Sequence, residues 1–463
     1  MNRVPHLQGM TAVRRLLLGG ALVALALATA CSKDKNVDQP AKLTPLQSTV
    51  RVQHVWSASV GEKKEAALRL GLGISIANGR VYAAGHQGDV VALELANGRV
   101  AWRTRTKTPL SGGTAASADL VVVGGSDGQL LALAAASGKM VWRVRLNGEV
   151  LAPAAISTRL IAVRTVDGKL HGLSPADGHE LWNAEQQVPR LSLRGTARPV
   201  IVGEVVLCGF DNGKVMAVNA NDGSVQWEAT VTPPHGRTEL ERLSDIDSAV
   251  DVAGSDVYTV GFQGRVAMLA LDTGQVWWSH EASSYRGLTL DDDALYLATA
   301  DGEIVALKTR TGAELWRQKA LLHRGLSPIA VVGDQLVTAD FQGYVHWLDK
   351  ATGTLAARER SGKVRVSTAP VTAGDMVVVI NDRGQISAWR VTPRAGAAAS
   401  KGAAVPPAPA KEAAPPAAPP APQEAPTSGT APAPAPDTAP PPAETPPPPA
   451  PEASAPPPPQ ERR

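Results

Sequence analysis

The sequence predicts an all-β fold: an eight-bladed β-propeller of four-stranded antiparallel blades, closed by an N-terminal strand and followed by a disordered Pro/Ala-rich tail. Three observations predict it. A dipeptide ending in Gly recurs eight times, at Gln87-Gly88, Asp127-Gly128, Asp167-Gly168, Asn212-Gly213, Gln263-Gly264, Asp301-Gly302, Gln342-Gly343 and Arg383-Gly384. Two places after each stands an aliphatic residue (Val90, Leu130, Leu170, Val215, Val266, Ile304, Val345, Ile386), and five places after it a further apolar one, from Leu93 to Trp389. Offsets of two and five lie on opposite faces of a strand, so each sheet is to be covered on both sides. Third, a second Gly turn follows seven of these strands, and in six of them a Trp stands four residues later: Trp102, Trp142, Trp182, Trp227, Trp278 and Trp316. Short Gly turns select tight hairpins, and a unit of about 40 residues holding four strands matches blades around an axis.

Taken in chain order, residues 1–30 read as a signal peptide. Arg14-Arg15 precede thirteen apolar or small residues, Leu16 to Ala28, too short a run for a bilayer span of about 20. Either Met1 or Met10 can start it. The block ALATAC ending at Cys31 resembles a bacterial lipobox, which implies lipidation at Cys31; Ser32 after it implies the outer membrane. Residues 31–49 are expected to be a linker. The ring spans 50–392, and the segment Arg51 to Val60 supplies the fourth strand that the last repeat lacks, with Trp56 in the Trp position. The tail, 393–463, carries 25 of the 37 prolines and too little large apolar surface to repay its ordering entropy.

Composition excludes several chemistries. Lys and Arg number 46 against 43 Asp and Glu, a net charge of +3, which gives no basic field for nucleic acid. Two cysteines, Cys31 and Cys208, make neither a disulfide framework nor a zinc cluster, and the nine His residues show no metal-ligand spacing. No metal, cofactor or catalytic residue is expected.

The first-turn glycines are separated by 40, 40, 45, 51, 38, 41 and 41 positions, so the excess length falls between Gly168 and Gly213 and between Gly213 and Gly264. Long loops on a rigid scaffold are where binding residues concentrate. Those two loops hold PRLSLRG (189–195) and TELERLSDID (238–247). On the residues alone, Leu191 and Leu193 read equally as inward strand positions, Arg194 as a solvated edge charge, and Asp245 and Asp247 as acceptors for loop amides.

The repeat, G-x-(V/L/I)-x-A-(L/V)-x(3 or 4)-G-x(3)-W, resembles the tryptophan-docking repeat of quinoprotein-type propellers, a group with enzymatic and non-enzymatic members. With PRLSLRG, TELERLSDID, LLHR (321–324) and GYVHWLD (343–349), residues 31–392 resemble the BamB family of outer-membrane assembly lipoproteins. That resemblance implies a non-enzymatic scaffold of the Bam complex, anchored in the outer membrane and facing the periplasm. It also implies that Leu191, Leu193, Arg194, Asp245 and Asp247 contact the periplasmic domains of BamA, with unfolded barrel proteins as a further partner. A general envelope adaptor and a quinone-dependent dehydrogenase are the alternatives. Two features depart from the family pattern. They are the Pro/Ala tail, and Ala357 where the seventh repeat should have Trp, which implies one weaker blade junction.

Overall fold

Eight sheets of four antiparallel strands surround an axis in the computed structural model, which describes residues 38–61, 72–193, 195–238, 240–246, 248–292 and 294–393. Blade 1 runs from strand Ser75–Ala77 to Val100–Arg105, blade 2 from Ala115–Ala116 to Met140–Arg145, and blade 3 from Ala155–Ile156 to Glu180–Glu185. Blade 4 spans Val200–Val202 to Val225–Thr230, blade 5 Asp251–Ala253 to Val276–Glu281, blade 6 Leu288–Asp291 to Glu314–Gln318, and blade 7 Ala330–Val332 to Leu355–Arg360. Blade 8 takes three strands from the end of the ring (Val371–Ala373, Met376–Ile380, Gln385–Pro393) and its fourth, Val50–Ser59, from the beginning. Arg51 pairs with Thr392 and Ser59 with Gln385, so the ring closes on the strand expected to close it.

First strands of neighbouring blades adjoin, which puts them innermost and the Trp strands outermost. The core lies between blades. One cluster, for example, joins Val81 and Leu93 of blade 1 to Val378 and Ile386 of blade 8. Middle strands such as Asp89–Glu94 are buried along both faces, as their two apolar offsets require.

Each outer Trp is a dock. The Trp142 indole lies over Gly178 of the next blade and its Nε1 donates to Pro175 O at 2.9 Å; Trp182 does the same to Gly223 and Ala220 O, also at 2.9 Å. Trp56 closes the circle on Gly98 and Leu95 O at 2.7 Å, in the Trp position assigned to it. Gly178 has φ +77°, and a Cβ there would stand 2.7 Å from the Trp142 ring, so both backbone conformation and space demand glycine. First-turn Gly264 is different: the positive φ, +49°, falls on Gln263, and Gly264 is held by space alone, with Thr232 Cγ2 2.0 Å from where its Cβ would be.

The Ala357 departure has a structural reason. Within blades 1 to 4 and 6, the Trp faces a small residue across the sheet: Ala92, Ala132, Gly172, Ala217 or Ala306. In blade 7 the pair is exchanged, Trp347 on the third strand facing Ala357 on the fourth. A Trp at 357 would need the turn joining strands three and four of blade 8, and no such turn exists because those strands come from opposite ends of the ring. Trp347, fully buried, instead meets Trp389 of blade 8 edge-on, ring centres 6.0 Å apart.

Of the expected linker, residues 38–49 are described. Thr44 to Thr49 run along the outer strand of blade 7, with Arg358 Nη1 donating to Thr44 O (3.0 Å) and Thr49 N to Ala356 O (2.9 Å), while Ala41 N donates to Leu322 O (2.9 Å) in the connection between blades 6 and 7. This covers an otherwise open edge. Cys31 and the tail beyond Pro393 lie outside the described residues.

Candidate protein-binding face

In an antiparallel blade, the turn between strands two and three and the connection to the next blade leave from the same end. The two enlarged connections, 186–199 between blades 3 and 4 and 231–250 between blades 4 and 5, therefore share one face with the first-turn glycines. Neither adds a strand, so Leu191 and Leu193 are loop residues and not inward strand positions.

The first loop is tied down at its start, where the Asn212 amide donates to Gln186 Oε1 (3.2 Å) and Gln186 itself bonds Glu228. The second carries its own local turn. Glu241 Oε2 accepts the amides of Arg237 (2.8 Å) and Thr238 (3.0 Å), while Thr238 Oγ1 accepts that of Glu241 (3.2 Å), a reciprocal box typical of a helix start. These backbone donors hold the Glu241 carboxyl below its ordinary value.

Asp245 joins the two loops: its Oδ2 accepts the backbone N–H of Leu193. Asp245 is 1% exposed, its carbonyl takes the Phe262 amide at 2.8 Å, and its Oδ1 has no partner. Burial pushes its carboxyl up to about 6, against the opposing pull of the Leu193 amide. Close by lies a buried ion pair. Arg164 Nη2 meets Asp211 Oδ1 at 2.8 Å, Nη1 donates to Gly209 O at 3.0 Å, and the guanidinium stacks 4.4 Å from the Phe210 ring centre. The Ile246 amide bonds Phe210 O at 3.2 Å, which ties the second loop to this platform.

Of the five positions marked in the sequence, Leu191 is 44% exposed, Leu193 half-buried and Asp245 buried; Arg194 and Asp247 lie outside the described residues. Asp245 accordingly acts on the loop and not on solvent. Sequence reasoning missed the exposed Val188 and Leu240, the latter 64% exposed. Both stand inside the enlarged loops; for Leu240, an apolar residue between Glu239 and Glu241, the signal was available. Trp102, Trp142, Trp182 and Trp227 are buried, and Trp278 and Trp316 half-buried, all six at blade junctions.

No group of three or more His, Cys, Asp or Glu among the described residues is placed to hold a metal ion. Cys208 is unpaired and wholly buried, and burial raises its thiol to about 12, which makes it a packing residue.

A ring of Trp-docked blades with two enlarged loops on one face defines a propeller of the quinoprotein-like repeat class. The family model described as outer membrane protein assembly factor BamB matches residues 52–109, 86–318 and 300–399, and the chain belongs to that family. It is 46% identical over 373 residues to the outer membrane protein assembly factor BamB of Pseudomonas aeruginosa, covering 80% of this chain and 98% of that one. The Kangiella koreensis protein of the same name is 42% identical over 79% of this chain and 94% of its own length. The crystal structure of BamB from Moraxella catarrhalis superposes with a TM-score of 0.67 at 28% identity, covering 73% of this chain and all of that one. A quinohemoprotein alcohol dehydrogenase from Pseudomonas putida shares the fold alone, with a TM-score of 0.60 at 12% identity.

Proposed function

We propose that the chain is a non-enzymatic scaffold of outer membrane protein assembly. It is anchored by lipid at Cys31 in the outer membrane, faces the periplasm, and binds the periplasmic domains of BamA through the face built by its two enlarged loops. The observation that carries this reading is the convergence of those loops. The bond from Leu193 to Asp245 fixes one against the other and leaves Leu191, Val188 and Leu240 exposed together with Arg190, Arg237 and Arg242. An apolar centre within a rim of forked cationic donors suits an interface with backbone and carboxylate oxygens. Arg194 and Asp247, adjacent to these residues in sequence, join the proposed contact.

The scaffold does no bond chemistry. It holds BamA in a working arrangement, and any handling of unfolded barrel proteins uses the short outer strand edges by β-augmentation. The deciding experiment is recovery of BamA from solubilised membranes on the tagged chain, compared with a variant carrying Ala at Leu191, Leu193, Arg194, Asp245 and Asp247. Loss of BamA with an unchanged circular dichroism spectrum supports the reading. Wild-type recovery by the folded variant refutes it. Mass spectrometry of the membrane-extracted chain tests the anchor, and an unmodified Cys31 refutes that part.

A further inference from the structure

The strings LLHR and GYVHWLD have no part in the enlarged-loop face, yet they converge elsewhere. Arg324, from the first, is 3% exposed and lies in the connection between blades 6 and 7; His346, from the second, is fully buried on the third strand of blade 7. Both bond the same carboxylate. Arg324 Nε donates to Asp340 Oδ2 at 2.8 Å, and His346 Nε2 stands 3.1 Å from that oxygen. Asp340 Oδ1 is already occupied by the amides of Gln342 (2.9 Å) and Tyr344 (3.0 Å). Arg324 Nη2 reaches Gln342 Oε1 at 2.6 Å, and Phe341 flanks the guanidinium at 5.4 Å. The fork is therefore fixed in direction before its last donor is used.

That last donor, Nη1, points out of the ring to Ala41 O at 2.9 Å. Ala41 is in the N-terminal segment, and its amide returns a bond to Leu322 O at 2.9 Å. Leu43, two residues on, packs against the cluster shared by blades 6 and 7. We propose that Arg324 is a positioning residue that clamps residues 38–49 to the edge of blade 7, so that a lipid anchor at Cys31 holds the ring with blade 7 toward the bilayer. Without the clamp the segment would be held only from Thr44 onward, by the bonds of Arg358 Nη1 to Thr44 O and of Thr49 N to Ala356 O. With it, the tether starts at Asp38, seven residues from Cys31, a reach of about 25 Å at full extension. The segment leaves on the same face as the enlarged loops but three blades away from blade 4, so partner and membrane approach different sectors of that face. Only a planar fork serves all these acceptors; a lysine ammonium in its place is a single point charge and cannot.

The orientation rests on the anchor proposed above, whereas the clamp does not, and the experiment separates them. Hydrogen exchange on the full chain reads the clamp. The Ala41 amide should exchange slowly, and in R324K its protection should fall by about tenfold or more while strand Met376–Ile380 stays protected. An Ala41 amide unchanged in a folded R324K overturns the clamp. L43D, which alters only the segment, replaces R324K if that variant fails to fold, and carries the same expectation. For orientation, the lipidated chain is bound to vesicles of phosphatidylethanolamine and phosphatidylglycerol carrying a headgroup quencher. It is labelled at Lys363→Cys beside blade 7 or at Glu185→Cys on blade 3 across the ring; the buried Cys208 does not compete for label. Quenching should be severalfold stronger at 363, and the difference should vanish in L43D. Equal quenching by bound wild type overturns the orientation. A chain that does not bind the vesicles refutes the anchor, while the Ala41 amide still reports on the clamp.

Discussion

If the Trp-on-Gly dock is what joins the blades, removing the Trp should make its glycine replaceable. Trp142 and Gly178 suit the test, because Trp142 is 7% exposed and a Cβ at Gly178 would lie 2.7 Å from its ring. W142A leaves a cavity and an unbonded Pro175 carbonyl, and should cost about 3–5 kcal/mol. G178A faces two penalties. Holding alanine at φ +77° costs about 1–2 kcal/mol, and driving a methyl into the indole adds about 1–3 kcal/mol. In W142A/G178A the second penalty disappears, since the methyl enters the space the indole vacated. The double variant should thus be more stable than the sum of the singles predicts, by about 1–3 kcal/mol. Equilibrium urea unfolding of the four proteins measures this through their midpoints at constant slope. Additivity within about 0.5 kcal/mol would show that the contact carries no energy of its own and refute the docking account.

The remaining expectations concern other links. A357W should destabilise the ring by about 1–3 kcal/mol, read as a lower melting temperature, because Ala357 is 2% exposed against Trp347 and no turn awaits a second indole. D245N should raise the melting temperature at pH 7.5 and leave it nearly unchanged at pH 4. With a folded-state value of about 6 against an ordinary 3.8, the native carboxyl binds more protons than the unfolded one between those values. Stability therefore falls as pH rises from about 4 to about 6, a loss of roughly 1–3 kcal/mol that the amide escapes. Deleting residues 50–60 should lower the melting temperature of the whole ring, since it strips the Gln385–Pro393 strand of its partner and leaves Gly98 without Trp56; an unchanged transition would contradict the closure. L191A alone should weaken BamA recovery with no change in melting temperature, and a change in stability without a change in recovery would count against its place in the contact.

The ring was legible because its constraints are local and repeated. A Gly in a tight turn and two apolar offsets, stated eight times, and a Trp at a fixed distance, stated six times, each give one requirement of one blade and leave little freedom. What could not be read were relations between blades. Nothing in the seventh repeat alone says that Trp347 and Ala357 are an exchanged pair, because the reason lies in a turn missing from the eighth. The clamp was hidden for the same reason: Arg324 and Ala41 are 283 positions apart, and a short polar stretch such as Ala41 to Thr49 carries no period of its own.

The candidate face was half legible, and the dividing line is burial. Loop length marked where binding residues should gather, but length does not say which side chains face solvent. Two aspartates in the string SDID look alike in sequence, either as partner contacts or as acceptors for loop amides. The structure gives Asp245 the second role, since its carboxylate is spent on the Leu193 amide and its desolvation is a cost the loop sustains. A charge kept buried with one oxygen unsatisfied is expensive, and what it secures here is the posture of one loop against another. Leu191, held open two residues from that bond, is then presented and not merely exposed. Binding through this face should therefore be sensitive to Asp245 through loop geometry and to Leu191 through direct contact, and only the first dependence should also vary with pH near 6.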